Sequence, residues 1–476
     1  MQPLTTKIAK NTFFSFIGKT VGFVSNLALS IIIARMLGPN KFGSYALVGF
    51  TITVAELLTN LGLSNVGTKF LSEFTGKEND AIKSGIFFYI LKIKIIATLI
   101  IVSILLVFSQ NFANFYSDNS LRLYIIISAI SIFPNSLVSV LSSVITGLQE
   151  YKYLAYRTIL VSPITIIFTL IALKMGYGII GLLTVNVVIS FIQFIFYFNI
   201  LKNNFTFISK SHFTLPIELK NRIFKYNWQV FLIICLDSII WQRSEVFFLG
   251  KFHQTSETAF YSLAYGIIEK GMIFLPSIFT SVLMPAMSEL YGKKDNLTLQ
   301  KLYLNSIRYI LIISTPICIG LMVLSKPIIF LFYGERFLPV FPVMNVLLIG
   351  GLFGIFSSVG SSVLYGTEKQ NIILKCGIFI AIINLVLDIT IIPKYGALGA
   401  ALANTVSQVS AVTIGTILVC KLISVTFPVK DLFKIIAASL CMAPVMFVIL
   451  KLINSNIAIL VSITFGALVY FIIICL

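Results

Sequence analysis

Apolar residues run through the chain in blocks of about twenty, broken by short polar turns. A helix rising 1.5 Å per residue needs about 20 such residues to cross ~30 Å of hydrocarbon. Fourteen segments reach that length: 13–34, 43–67, 84–108, 121–146, 154–174, 178–201, 226–249, 258–286, 303–325, 340–364, 372–392, 396–420, 432–452 and 456–476. Each predicts a transmembrane helix. Together they predict an all-α integral membrane protein with very short outer loops and no extramembrane domain.

Polar residues recur at helical spacing inside the first two segments. Asn11, Ser15, Lys19, Gly22, Asn26 and Ser30 do so in helix 1, and Gly49, Thr53, Glu56, Asn60 and Ser64 in helix 2. Steps of three and four residues gather side chains on one face. Each stripe either lines a wet cavity or, for its small and hydroxyl members, packs closely against a neighbouring helix.

The polar punctuation also repeats. LSEFTGKEND at 71–80 returns as MSELYGKKDN at 287–296, an offset of 216 that pairs Tyr45 with Tyr261, Glu73 with Glu289, Gly76 with Gly292 and Lys77 with Lys293. Tyr177, Gly178, Gly181 and Asn186 match Tyr395, Gly396, Gly399 and Asn404 at an offset of 218, and Gly147 matches Gly366 at 219. Leu and Ile match by chance in any two apolar helices, but Gly, Tyr, Asn, Glu and Lys in constant order mark a duplication. Six helices separate the copies, an even number, so two parallel six-helix repeats are expected, related by a pseudo-two-fold axis along the membrane normal. The expected organisation is an N-terminal six-helix lobe at 1–201, a cytoplasmic inter-lobe linker at 202–225, a C-terminal six-helix lobe at 226–420 and two additional helices at 421–476. A duplicated membrane unit points to a transporter.

Composition agrees with a life in lipid: 58% hydrophobic and 11% charged residues, with mean hydropathy +0.99, leave too little polar surface to coat a globule of 476 residues. The net charge of +18 is explained by topology. Of 35 Lys and Arg, 23 lie on the side of the N-terminus and 9 on the other, with Lys19, Arg243 and Lys270 at membrane depth. That bias places both termini in the cytoplasm of a cell membrane, plasma or inner, and basic loops beside helix ends suit anionic lipid rather than nucleic acid. The six cysteines lie in apolar runs without a CxxC pair, which implies neither a disulfide framework nor a metal site. Arg35, rather than a small-residue cleavage site, follows the first apolar run, so helix 1 is expected to stay in place.

At the first interhelical turn the chain reads Ala34-Arg35-Met36-Leu37-Gly38-Pro39-Asn40-Lys41-Phe42-Gly43-Ser44-Tyr45-Ala46-Leu47. Gly38 and Pro39 end helix 1, and Phe42 and Gly43 start helix 2. The stretch resembles the R-x-L-G-P-x-x-F-G-x-Y signature of O-antigen-type polysaccharide flippases, in the multidrug/oligosaccharidyl-lipid/polysaccharide exporter superfamily. Helix count, duplication and topology extend the resemblance over essentially the whole chain. It implies a two-lobed bundle around a central cavity. The bundle would carry lipid-linked oligosaccharide, a polyprenyl-diphosphate sugar, from the cytoplasmic to the outer leaflet by alternating access, for cell-surface polysaccharide biosynthesis. Membrane lipid and other membrane proteins of polysaccharide assembly are the partners it implies. The cargo comes from the resemblance alone.

Ionisable groups at membrane depth cost about 2.5–3.5 kcal/mol each on insertion scales, so they face water or partners. Lys19, Asn26, Glu56, Asn60, Asp237, Arg243, Glu245, Glu269 and Lys270 are therefore the candidate cavity residues. Lys19 is near enough to its helix start to snorkel to the headgroups instead. Glu56 is too deep for that, and its alternative is a structural bond to a neighbouring helix. In helix 7, Asp237, Trp241 and Glu245 follow one face, from which Arg243 points away unless the helix is broken there. The Arg243 fork suits phosphate oxygens bidentately, which makes it a candidate for the diphosphate; a buried structural ion pair is the competing account. Glu269 and Lys270 are about 100° apart around helix 8. Asn384 and Asp388, one turn apart, lie toward the outer end of helix 11, where an interfacial role competes with transport. Deep acids outnumber deep bases. Either Lys92, Lys94 and Arg308, nearer the inner ends, add positive charge, or Glu56, Asp237 and Asp388 serve coupling by binding Na+ or taking up a proton. No resident cofactor is expected. Pro163, Pro276, Pro316 and Pro444 interrupt apolar helices as hinges or static kinks.

A cation-coupled multidrug exporter of the same superfamily is the alternative function, and the signature at Arg35–Tyr45 argues against it. An integral-membrane polysaccharide polymerase fits less well. The only histidines, His212 and His253, lie in loops, and no nucleophile, metal-ligand or paired-carboxylate motif is present. The chain is expected not to be an enzyme.

Overall fold

The computed structural model describes residues 4–76, 79–204, 215–241, 244–367, 369–453 and 457–475. Those residues form α-helices α1 Leu4–Asn60, α2 Leu63–Gly76, α3 Asp80–Val107, α4 Ser109–Phe115, α5 Ser120–Gly147, α6 Tyr151–Lys174, α7 Gly178–Asn204, α8 Ile217–Trp241, α9 Glu245–Phe252, α10 Thr255–Gly292, α11 Asn296–Tyr333, α12 Val340–Gly366, α13 Gln370–Leu422, α14 Val429–Leu452 and α15 Ile457–Cys475. Among the described residues ten helical stretches are long and apolar enough to cross a membrane. Two of these each hold a pair of expected spans, α1 bending at Gly38 (φ 72°, ψ 173°) and α13 at Gly396 (φ 55°, ψ −134°). Pro163, Pro316 and Pro444 sit inside α6, α11 and α14 without dividing them.

The chain forms two compact units. The first holds the residues up to Leu37 together with Ser44–Cys235, and the second holds Gly38–Gly43 together with Leu236–Leu476. Of the expected linker, residues 205–214 lie outside the described residues, 202–204 finish α7, and 217–225 open α8. Leu215 and Ile223 are buried in the core of the first unit. Apolar side chains at these two positions are why this stretch joins a lobe rather than lying on a surface.

In the first unit α5 is the hub, packing against α2, α3 and α7. Phe70, Ile86, Ile90, Val144 and Tyr197 fill the space around it. In the second unit α12 has the same place, packing against α10, α11 and α13. These hubs are expected helices 4 and 10, which the duplication makes equivalent. α14 and α15 add a separate cluster of Ala438, Met442, Met446 and Tyr470 against Leu324 of α11.

Small residues let the helices of the first unit approach closely. A Cβ on Gly67 would stand 2.3 Å from Ser143 Oγ, and Ser72 Oγ donates to the Gly147 carbonyl at 2.7 Å. Ser131, Ser136, Ser139, Ser142 and Ser143 of α5 each donate to the carbonyl three residues earlier, so their hydroxyls are satisfied within the helix. The duplication also shows in the backbone. Gly178 (φ 54°) and Gly396 (φ 55°) both take a positive φ at equivalent turns, a region that residues with a Cβ avoid.

The signature turn is packed as tightly as its sequence suggests. Phe42 meets Phe337 edge-on, with ring centroids 6.1 Å apart. A Cβ on Gly43 would stand 1.7 Å from the Thr255 carbonyl oxygen. The obstacle is backbone and cannot rotate away, so Gly43→Ala is expected to destabilise the protein by about 1–3 kcal/mol. Thermal unfolding in detergent measures this, and an unchanged midpoint would refute the packing account.

Candidate functional site

Two polar clusters lie at membrane depth, one in each unit. The first is built around the end of α1. Leu61 (φ 47°) and Gly62 (φ 78°) leave the helix, and Asn60 Oδ1 accepts hydrogen bonds from the Ser64 N–H at 3.3 Å and the Ser64 hydroxyl at 2.7 Å. Asn60 thereby caps α2. The expected straight stripe of Glu56, Asn60 and Ser64 along helix 2 is corrected: it folds at residues 61–62 into two helices with Asn60 at the joint.

Around this joint α5 brings Asn135, whose amide donates to Glu56 Oε1 at 2.9 Å. α3 brings Lys94, whose ammonium donates to Asn60 Oδ1 at 3.3 Å and interacts electrostatically with the Glu56 carboxylate. Lys94 is only 1% exposed and midway along α3, not at an inner end as expected. Lys92 is exposed, and Arg308 is paired with Asp431. Of these three cations Lys94 alone sits with the deep acids. Glu56 and Asn60 are half-buried, so the cluster presents a carboxylate and an amide with a buried ammonium behind them.

The second cluster is more enclosed. Within the expected helix 7 the described residues are those of α8, to Trp241, and of α9, from Glu245 with Ser244 as its N-cap residue. The Glu245 carboxylate is fully buried. Oε2 accepts from the Tyr261 hydroxyl at 2.8 Å, and Oε1 accepts from the amides of Asn404 at 2.8 Å and Asn384 at 3.3 Å. Gln408 donates to Asn404 Oδ1 at 2.7 Å and so fixes the orientation of that amide. The Ser244 hydroxyl is shared between Asn384 Oδ1 at 3.0 Å and Asp388 Oδ2 at 3.3 Å. Asp388 is also fully buried. Two expectations change as a result. Glu245 does not line an open cavity, and Asp388 lies within the second unit instead of at an interface, because α9, α10 and α13 converge on these carboxylates.

The duplication supplies two of the three donors to Glu245. Tyr261 and Asn404 are the repeat partners of Tyr45 and Asn186, which in the first unit are hydrogen-bonded to each other. In the second unit the same two side chains reach Glu245 instead. The repeat register marked both residues in the sequence, but nothing local indicated the carboxylate they would meet. Asn135 carried no sequence signal at all.

The other expected residues are placed as follows. Lys19 and Asn26 are exposed on α1, and Glu269 is exposed on α10. Asp237 and Lys270 lie on the helical backbone of α8 and α10, with side chains outside the described residues, and Arg243 lies wholly outside them. Among the described residues no group of three or more His, Cys, Asp and Glu could hold a metal ion.

Residues 32–342 match the family described as polysaccharide biosynthesis protein. Over 258 residues the chain is 23% identical to a probable low-salt glycan biosynthesis flippase of Haloferax volcanii, spanning 53% of this chain and 54% of that protein. It is 23% identical over 424 residues to a capsular polysaccharide biosynthesis protein of Staphylococcus aureus, spanning 84% of this chain and 96% of that one. Among solved structures, a lipid II flippase in an inward closed conformation superposes with a TM-score of 0.75 at 20% identity, over 98% of both chains, a likeness of fold.

Proposed function

Because the chain belongs to the polysaccharide biosynthesis protein family, we propose that this multi-pass membrane protein is a flippase for lipid-linked oligosaccharide. It moves a polyprenyl-diphosphate sugar from the cytoplasmic to the outer leaflet of the cell membrane, with both termini in the cytoplasm, by opening in turn to either side. The observation that carries the reading is Lys94, a buried ammonium held by a neutral amide beside a single half-buried carboxylate.

A cargo shifts a conformational equilibrium only if it interacts differently with the two states. An anionic diphosphate that draws Lys94 away from Asn60 and Glu56 meets that condition. Glu56 is then left to take up a proton or Na+, so that cargo and coupling ion share one cluster. Asp388 and Asp237 are the further coupling candidates. Arg243 is assigned to the second phosphate oxygen pair, and Lys19, Asn26, Glu269 and Lys270 to the walls of the path. Glu245 is assigned a framework role behind Asp388.

Proteoliposomes loaded with labelled lipid-linked saccharide test this. Glu56→Gln and Arg243→Ala should each slow transfer between leaflets by about tenfold or more, equivalent to about 1.4 kcal/mol of lost interaction, while Lys92→Ala should not. If both variants move cargo at the rate of the unaltered protein, the residue roles are wrong. If the labelled saccharide stays in its leaflet while a small cationic drug crosses, the protein is an exporter.

A further inference from the structure

A cleft of about 150 Å³ opens at one end of the second unit, where the turns α10–α11, α12–α13 and α13–α14 meet. Its polar wall is Tyr291, Asn296, Gln300, Thr367, Lys369 and Ser424, and among the described residues that line it none is acidic. Gln300, at the start of α11, donates to the Ile423 carbonyl at 2.8 Å and so links two sides of the cleft. Neither transport nor the two intramembrane clusters use these residues.

The chemistry of the wall is that of an anion site: one ammonium, Lys369, with the amides of Asn296 and Gln300 and the hydroxyls of Tyr291 and Ser424, the Thr367 hydroxyl being already donated to the Val363 carbonyl at 2.8 Å. The surrounding charge has the same sign. In and beside these turns Lys293, Lys294, Lys301, Lys369, Lys421 and Lys430 outnumber Glu289, Asp295, Glu368 and Asp431, and Lys293 is paired with Glu289. The positive-inside bias assigns this end of the helices to the cytoplasmic face, where anionic lipid is concentrated. Size then limits the occupant. At ~30 Å³ per water the cleft has room for about five water molecules, below the ~300 Å³ where small-molecule sites usually begin. A phosphate group fits this space. Exposed Leu422 adds an apolar edge to the polar wall, which suits an acyl chain leaving a headgroup.

We propose that this cleft binds a phosphate group, as the headgroup of an inner-leaflet phospholipid or as free phosphate, and that Lys369 supplies its cationic contact. Occupied, it ties the cytoplasmic ends of α10, α11, α12 and α13 together.

The test uses the full-length protein in detergent, titrated calorimetrically with dioctanoyl phosphatidylglycerol, with inorganic phosphate and with dioctanoylglycerol, which lacks phosphate. Dioctanoyl phosphatidylglycerol should bind and dioctanoylglycerol should not. Inorganic phosphate binding equally well identifies free phosphate as sufficient, and its failure to bind identifies the lipid as the source. Lys369→Ala should weaken binding about fivefold or more, and so should Ser424→Leu, which fills the cleft. Lys369 and Ser424 are both exposed, and unchanged thermal midpoints will show that the variants fold. Absence of binding, equal binding of the phosphate-free lipid, or full affinity in both variants overturns the proposal.

Discussion

Glu245→Ala is expected to cost about 3 kcal/mol of stability or more. The Tyr261 hydroxyl and the Asn404 amide hydrogen that reach Glu245 would be left buried without an acceptor, whereas the Asn384 amide would keep Ser407 Oγ at 3.2 Å. Each orphaned buried donor costs about 1–3 kcal/mol. The emptied side-chain volume adds a cavity. Glu245→Gln should be much milder, because its carbonyl still accepts from Asn404 and the Tyr261 hydroxyl can turn to accept from the new amide. Thermal unfolding in detergent distinguishes the two: a large fall in midpoint for alanine and a small one for glutamine. Equal falls would mean that the cluster is held by charge rather than by hydrogen bonds, and no fall for alanine would mean that the cluster does not hold α9 to α13.

Lys94→Met is the second large effect, expected at about 2–3 kcal/mol. Methionine keeps the apolar stem, so packing along α3 is largely preserved. What is lost is the charge that compensates Glu56 and the donor that Asn60 accepts. The informative comparison is the double variant Glu56→Gln with Lys94→Met. Glutamine can still accept from Asn135 through its carbonyl, and the pair is then neutral on both sides. The double variant should recover about 1 kcal/mol or more relative to the sum of the single effects. Strict additivity would show that Lys94 and Glu56 do not communicate, and the shared role assigned to them in cargo release would fall with it. In the flipping assay the double variant should remain slow even where its stability is restored, since both partners of the proposed exchange are gone.

The two clusters were legible in the sequence to different degrees, for a physical reason. Glu56 and Asn60 could be read because each is a polar residue at depth in an apolar helix, and the cost of such a residue is local. Lys94 was misplaced because distance along a helix from its basic end does not reveal which face is covered by α1 and α5. Glu245 was read as a cavity residue because its own helix does not show that Tyr261, Asn384 and Asn404 enclose its carboxylate. Asp388 looked interfacial for the same reason, its burial depending on α9 and α10 rather than on its own neighbours in α13. The break at Leu61–Gly62 was missed because Asn60 has no capping signature until Ser64 is brought back to it.

By itself the sequence determined the all-α membrane class, the apolar character of the long helices, the duplication and the family signature. These depend on one-dimensional quantities: how many residues cross a bilayer, where Gly and Pro stop a helix, and which residues recur at a fixed offset. Only the tertiary structure decided which polar groups meet. The bond from Asn404 to Glu245 joins residues 159 positions apart, and that from Asn135 to Glu56 joins residues 79 apart. Their meeting follows from how α5 and α13 pack, and helix packing is set by the shapes of many side chains at once rather than by the period of any one segment.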